Sequence, residues 1–314
     1  MSVDGIPRTR RAGIWLAVAT ACVSGVSVFV NAYAVKSVSD PTVFTTLKNL
    51  VAAVVVGGLL AVATVRRSRA GFTRPRNGRD AAALGLVAVI GGSVPFVLFF
   101  EGLARASAKD AAFVQKTLVI WVAVLAVVFL RERLGLLQVG AVVALVAGPA
   151  LLGVHLAALR PGRGEAMILA ATLLWAVEVI VAKRLLGHLS PLTVGTARLG
   201  GGVVLLLAYV ALRGDVGAMA PSASAWGWVL LTGVLLATYV TTWFAALARA
   251  QAVDVTAVLV FGAVITAALD ALAKGTPIVP QLAGLALIVA GTVAFVALAT
   301  RRGREVLDAG ADPL

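Results

Sequence analysis

Six ionisable side chains interrupt the apolar stretches of this sequence: Lys48, Glu101, Lys116, Glu178, Arg198 and Asp270. A charge at the centre of a membrane helix costs about 2.5–3.5 kcal/mol on insertion scales, so six of them facing lipid would cost very roughly 15–20 kcal/mol. That exceeds the stability of most folds. Such residues turn toward protein or a wet cavity, and three acids with three bases permit neutral pairing. Depth along the chain pairs Glu178 with Arg198, and Lys48 or Lys116 with Glu101 or Asp270. The chemistry open to such a set is ion pairing, recognition of a charged ligand and, through a sequestered carboxyl, proton binding. Glu178 is the best proton carrier, because its short side chain cannot easily reach the interface.

Each residue also has a plainer use. Lys48 and Arg198 have stems long enough to snorkel toward the nearer face. Glu101 and Asp270 lie near the ends of their stretches and suit an interfacial position. Glu178 serves equally in a structural salt bridge. Lys116 sits in a polar triplet, Gln115-Lys116-Thr117, deeper than an ordinary anchor. Among the aromatics, Trp121, Trp175, Trp243 and Tyr239 are deep enough either to stack on a planar substrate or simply to pack, whereas Trp15, Trp226 and Trp228 read as interface anchors. Asn31 and Tyr33 are weaker candidates.

The elements that must position these groups are membrane helices. Of 314 residues, 61% are apolar and 13% charged, against about 45–50% and about 25% in a soluble domain. A helix needs about 20 apolar residues to cross the hydrocarbon layer. Ten runs qualify, near 13–35, 42–65, 81–104, 110–130, 134–154, 165–184, 191–212, 225–248, 254–273 and 280–300. The first could be a secretory signal ending at Ala32-Tyr33-Ala34, but the run is longer than a signal core. With the N-terminus inside, seventeen of the 27 Lys and Arg fall on the cytoplasmic side and seven outside, so both ends read as cytoplasmic. That topology assigns the chain to the cell (inner) membrane. The net charge of +13 is therefore a matter of topology, and no nucleic-acid partner is implied. One cysteine and two distant histidines make neither a disulfide framework nor a metal site, and no phosphate-binding glycine loop is present. No cofactor and no ATP hydrolysis are expected.

The two halves of the chain resemble each other. Residues Phe99 to Asp110 match Trp243 to Asp254 at seven of twelve positions, an offset of 144. Pro41 precedes Lys48 by seven residues, as Pro191 precedes Arg198. Gln138 and Leu145-Val146-Ala147-Gly148 correspond to Gln281 and Ile288-Val289-Ala290-Gly291. Five spans per copy is an odd number, so the second copy must enter the membrane from the opposite side. The predicted fold is all-α, with ten transmembrane helices in two inverted five-helix repeats, 13–154 and 165–300, and cytoplasmic tails 1–12 and 301–314. Inverted repeats around a midplane site are characteristic of secondary transporters.

This duplicated unit, with Leu103-Ala104-Arg105-Ala106-Ser107-Ala108 ahead of the fourth span and Phe129-Leu130-Arg131-Glu132-Arg133-Leu134 after it, resembles the EamA-type ten-helix members of the drug/metabolite transporter superfamily. The second segment is similar to that family's Leu-Gly-Glu-Arg-Leu. The resemblance implies a central cavity open to one side at a time and transport of small metabolites, often outward. Two departures stand out: the proline common in the fourth and ninth spans is missing, and the ninth ends Ala273-Lys274-Gly275 without the usual acid.

The sequence therefore reads as a secondary active transporter, not an enzyme. It exports a small organic metabolite, amino acid or drug-like compound by alternating access, driven by a proton or substrate gradient. Its partners are the lipid bilayer and the small-molecule substrate, and it is a monomer or homodimer. Two other classes compete: a non-transporting membrane scaffold, and a membrane-embedded enzyme, for which no nucleophile and base at a workable spacing appear.

Overall fold

The computed structural model describes residues 5–38, 40–103, 105–106, 114–151, 162–275 and 282–308. The anchors Asp110 and Gln281 of the internal repeat lie outside these residues. Among the described residues every regular element is helical: α1 Gly5–Ala34, α2 Pro41–Val65, α3 Gly78–Ile90, α4 Val94–Leu103, α5 Leu118–Leu125, α6 Leu136–Leu151, α7 Arg163–Leu185, α8 Pro191–Thr196, α9 Gly202–Leu212, α10 Ala223–Leu247, α11 Ala252–Leu259, α12 Gly262–Lys274 and α13 Leu282–Asp308. Seven stretches are long and apolar enough to cross a membrane. Three shorter apolar helices, Val114–Leu130, Leu136–Gly148 and Leu282–Ala297, occupy the places of the expected fourth, fifth and tenth spans. The first and last helices run beyond the expected spans, so α1 begins at Gly5 and α13 continues to Asp308.

Local chemistry explains where the helices start. Asp40 accepts hydrogen bonds from the Thr42 and Val43 amides at 2.7 and 2.9 Å, with Pro41 at the first helical position. Ser190 caps α8 in the same way, with Pro191 following. Buried threonines stay satisfied in the apolar interior by donating back one turn. Thr20, Thr46, Thr172 and Thr256 each bond the carbonyl four residues earlier at 2.7–2.8 Å.

The two halves interleave. Helix α1 packs on α10, α11 and α12, α2 packs on α10 and α9, and α4 packs on α7, while α6 pairs with α13 at the margin. The α6–α13 contact is reciprocal: a Cβ on Gly148 would meet Ile288 Cγ1 at 2.6 Å, and one on Gly291 would meet Leu145 Cγ at 2.9 Å. Gly148 and Gly291, like Leu145 and Ile288, are equivalent positions of the two copies.

Four spans are interrupted, and the interruptions cluster. The third breaks at Gly91-Gly92-Ser93, between α3 and α4. The seventh widens into a π-turn over Ala197–Gly201, between α8 and α9. These two face each other so closely that a Cβ on Gly202 would lie 2.5 Å from the Gly92 carbonyl oxygen. The fourth span breaks at Thr117 and the ninth at Val260-Phe261, 144 residues apart at Phe261, although neither place has a proline. Around the ninth-span break, amides bond three residues back, as with Val260 to Ala257 and Phe261 to Val258.

The loops gather at two ends. One end, here the basic end, joins Arg10 to Asp254, Arg184 to Phe129, Lys183 to Leu247 and Ala250, and Thr73 to Thr193. At the other, Arg213 holds Asp40 and Asp215 at 2.9 Å and Glu101 at 3.6 Å.

Candidate functional site

The broken helices, together with α1, α2, α7 and α10, line a partly open cavity of about 210 Å³. Its lining includes Lys48, Gln115, Lys116, Trp175, Glu178, Arg198, Tyr239 and Trp243, eight of the residues singled out in the sequence. The volume is somewhat below the roughly 300–1,000 Å³ usual for ligand pockets.

Glu178 and Arg198 meet here. Arg198 Nε donates to Glu178 Oε1 at 2.7 Å, and both side chains are buried. The pair is built by the two interruptions. The π-turn carries Arg198, a geometry frequent at functional sites, and the lack of a side chain on Gly91 leaves room for the Glu178 carboxylate. Trp175 Nε1 donates to the freed Gly91 carbonyl at 3.3 Å. Arg198 Nη1 is buried without a hydrogen-bond partner, as is Ser27 Oγ on the same cavity wall. Buried donors of this kind call for an explanation, and a ligand acceptor is one.

The other expected pairs do not form. Glu101, at the end of α4, accepts from Arg105 Nη1 at 2.5 Å and approaches Arg213. Asp270 pairs with Lys274 one turn along the same helix at 2.7 Å, with both side chains exposed. Their neighbours at the helix ends supply cheaper counter-charges than a lysine across the bundle. Lys48 instead donates to Asn31 Oδ1 at 3.2 Å and lies over the rings of Phe44 and Phe100 at 5.5 and 5.4 Å. Lys116, just before the Thr117 break, has no carboxylate within ion-pair distance among the described residues. The lining thus carries three cations and one acid.

The aromatics are ordered around this charge. Tyr239 and Trp243 stack at 6.0 Å, and Trp175 meets Phe96 edge-on at 5.6 Å. Arg198 lies over Phe96 at 5.7 Å. Trp121 is off the cavity, its indole donating to Thr117 at 3.1 Å.

Two stretches of the chain, residues 11–154 and 162–297, match the model of the EamA-like transporter family. The chain belongs to that family. No curated protein sequence matches it. A crystal structure of a protein 17% identical in sequence superposes over 91% of this chain and 99% of its own, with a TM-score of 0.76. At that identity the likeness shows the fold. The chain is accordingly a multi-pass membrane protein with a transporter architecture.

The segment around Glu132 acquires a physical role at the basic end. Glu132 accepts from the Ala252 and Val253 amides at 2.8 and 3.2 Å, holding the start of α11. Two residues on, the fully buried Asp254 takes Arg10 at 2.8 Å and Gln138 at 3.1 Å. Lys183 donates to the Leu247 and Ala250 carbonyls. This lock lies below Thr256, which lines the cavity. Sequence reasoning gave no site role to Arg10, Gln138, Lys183 and Asp254, although Gln138 and Asp254 both stood in the repeated segments. Phe96 and Phe100 went unnoticed because an apolar run gives no signal of which ring will face a cation.

Desolvation lifts the Glu132 carboxyl above the ordinary carboxylate range, against the two backbone amides and Lys183, which pull it down. The folded chain then holds a proton that the unfolded chain releases, so stability is fullest at low pH and falls as pH rises through that interval. The thermal midpoint of the detergent-solubilised protein is expected to decline across that range. Glu132→Gln should flatten the slope; an unaltered slope in the variant would assign it to another group.

Proposed function

We propose that this protein is a secondary transporter that carries a small organic anion by alternating access across the cell (inner) membrane. The observation that carries this reading is the charge of the cavity: among the described residues Lys48, Lys116 and Arg198 line it against the single acid Glu178. Uncompensated cations at membrane depth are costly, and an anionic cargo with two acceptor oxygens would offset them. The unpartnered Arg198 Nη1 and the stack of the partly buried Tyr239 on the buried Trp243, both lining the cavity, give such a cargo a hydrogen bond and a flat apolar wall.

The proposed architecture is ten spans in two inverted five-helix units, 13–154 and 165–300, with cytoplasmic tails. Support for the inversion comes from equivalent residues at opposite ends, since Arg105 joins the Arg213 cluster whereas Arg249 follows the helix end bound by Lys183. The reciprocal glycine contacts of α6 and α13 support it too. Export follows from energetics. An inside-negative potential favours outward movement of an anion by about 2.3 kcal/mol per charge per 100 mV. Among the described residues Glu178 is the one acid of the lining, so proton coupling runs through it.

The test is flux in proteoliposomes under an imposed potential, comparing small carboxylates with their methyl esters. Carboxylates should move and compete, with flux set by the potential. Esters competing equally well would overturn the anion reading. Glu178→Gln should remove any dependence on a pH gradient, and retained dependence would exclude Glu178 from coupling.

A further inference from the structure

At the basic end, away from the central cavity, a second cleft of about 620 Å³ opens between the end of α2, the loop that follows it, the start of α8 and the end of α10. Three guanidinium groups line it: Arg66 and Arg69 from the loop and Arg249 from α10. Among the described residues no acid lines it, and all three arginines are exposed. The loop is folded back firmly. Ser68 donates its amide to the Ala63 carbonyl at 2.9 Å, Phe72 to Thr64 Oγ1 at 2.7 Å, and Thr73 to Thr193 Oγ1 at 3.0 Å. Arg67 holds a left-handed backbone, φ 51°, to make the turn.

The internal repeat shows that the charge here is unusual. In the first copy Arg105 is neutralised by Glu101, one turn earlier on its own helix. The equivalent pair in the second copy is Arg249 and Ala245, so the acid is replaced by a methyl group and Ala245 lines the cleft. Arg249 spends one nitrogen on the Ala245 carbonyl at 2.7 Å and keeps the rest of its donors. Below the arginines the wall becomes apolar. Leu59 and Val62, seven and four residues before Arg66 on a membrane helix, are 46% and 52% exposed. At 1.5 Å per residue they lie about 10 and 6 Å deeper into the bilayer.

A cluster of unpaired cations at the interface, continued by a lipid-facing apolar wall, fits a ligand with an anionic head and a long apolar tail. We propose that this cleft binds an anionic phospholipid, with its phosphate held by Arg66, Arg69 and Arg249 and an acyl chain along Leu59 and Val62. The proposal is independent of what the central cavity carries.

Native mass spectrometry of the full chain in detergent tests it, with phosphatidylglycerol and phosphatidylcholine of identical acyl chains offered together. The wild type should retain the anionic lipid on the order of tenfold better. Arg66→Gln/Arg69→Gln/Arg249→Gln should abolish the preference. Ala245→Glu, which restores the pairing of the first repeat while keeping all three arginines, should reduce it several-fold. Far-ultraviolet circular dichroism and the thermal midpoint verify that each variant is folded. An equal preference in the wild type, or a preference unchanged in both variants, would overturn the proposal. Displacement of the lipid by millimolar inorganic phosphate or glycerol phosphate alone would overturn the assignment to lipid in favour of a soluble anion.

Discussion

Arg198→Met should destabilise the protein by about 3–5 kcal/mol, and Glu178→Leu by a similar amount, whereas the double variant should recover most of the loss. The ion pair is 2.7 Å long and both side chains are over nine-tenths buried. Removing one member strands the other charge in a site with little water, while removing both exchanges a costly desolvated pair for apolar contact. The double-mutant cycle on thermal unfolding in detergent therefore yields a large coupling energy. Additive single effects would show that each residue is held independently, Arg198 by Phe96 and Glu178 by the pocket beside Gly91. Transport separates stability from function. The rescued double variant should remain folded yet lose cargo binding, because the free Arg198 Nη1 donor disappears with the pair.

How far the sequence determines this site depends on the kind of signal each residue leaves. The Glu178–Arg198 pair was legible because two charges of opposite sign inside apolar runs, close in expected depth, have few other ways to avoid lipid. The same logic failed for Lys48 and Lys116. It assumed that acids near helix ends reach inward, whereas Glu101 finds Arg105 and Arg213, and Asp270 finds Lys274, within the interface where water helps. The positions of the apolar helices follow from hydropathy: seven are long enough to cross a membrane, and three shorter ones fall at other expected places. Breaks within spans do not, unless glycine marks them. Gly91-Gly92 announced the third-span break, but the π-turn at Arg198 and the breaks at Thr117 and Val260 arise from packing among helices, which no local pattern records. The ion lock at the basic end was hidden for another reason. Arg10, Glu132, Lys183 and Asp254 lie in loops and helix ends, where charges need no explanation, and only the fold brings them together.

That lock gives the two copies unequal ends. Glu132 follows the fourth span and caps α11, the first helix of the ninth. The equivalent residue after the ninth span is Thr276, so the sequence there offers no carboxylate for the matching role. Under the proposed alternating access, that difference in sequence would weight the two states unequally, since each state is weighted by the contacts that close it.

Lys48→Met and Lys116→Met are expected to act in opposite directions on binding and on stability. A hydrogen bond to a charged group contributes about 1.5–3 kcal/mol, so each substitution should weaken an anionic cargo by roughly 10- to 150-fold, and the double variant by the product where the two act independently. Stability should hold or rise, because a cation without a carboxylate partner is a burden at membrane depth that methionine removes. For Lys48 the gain is smaller, since its contacts with Phe44 and Phe100 already return part of that cost. Lys116, which has no such ring and no acid among the described residues, should show the larger gain. Cargo affinity from proteoliposome competition and the thermal midpoint in detergent, measured on the same preparations, give both numbers. Loss of stability with cargo affinity intact would make the two lysines structural and remove the basis for an anionic cargo; lost affinity with equal or greater stability is the signature of charges retained for a ligand.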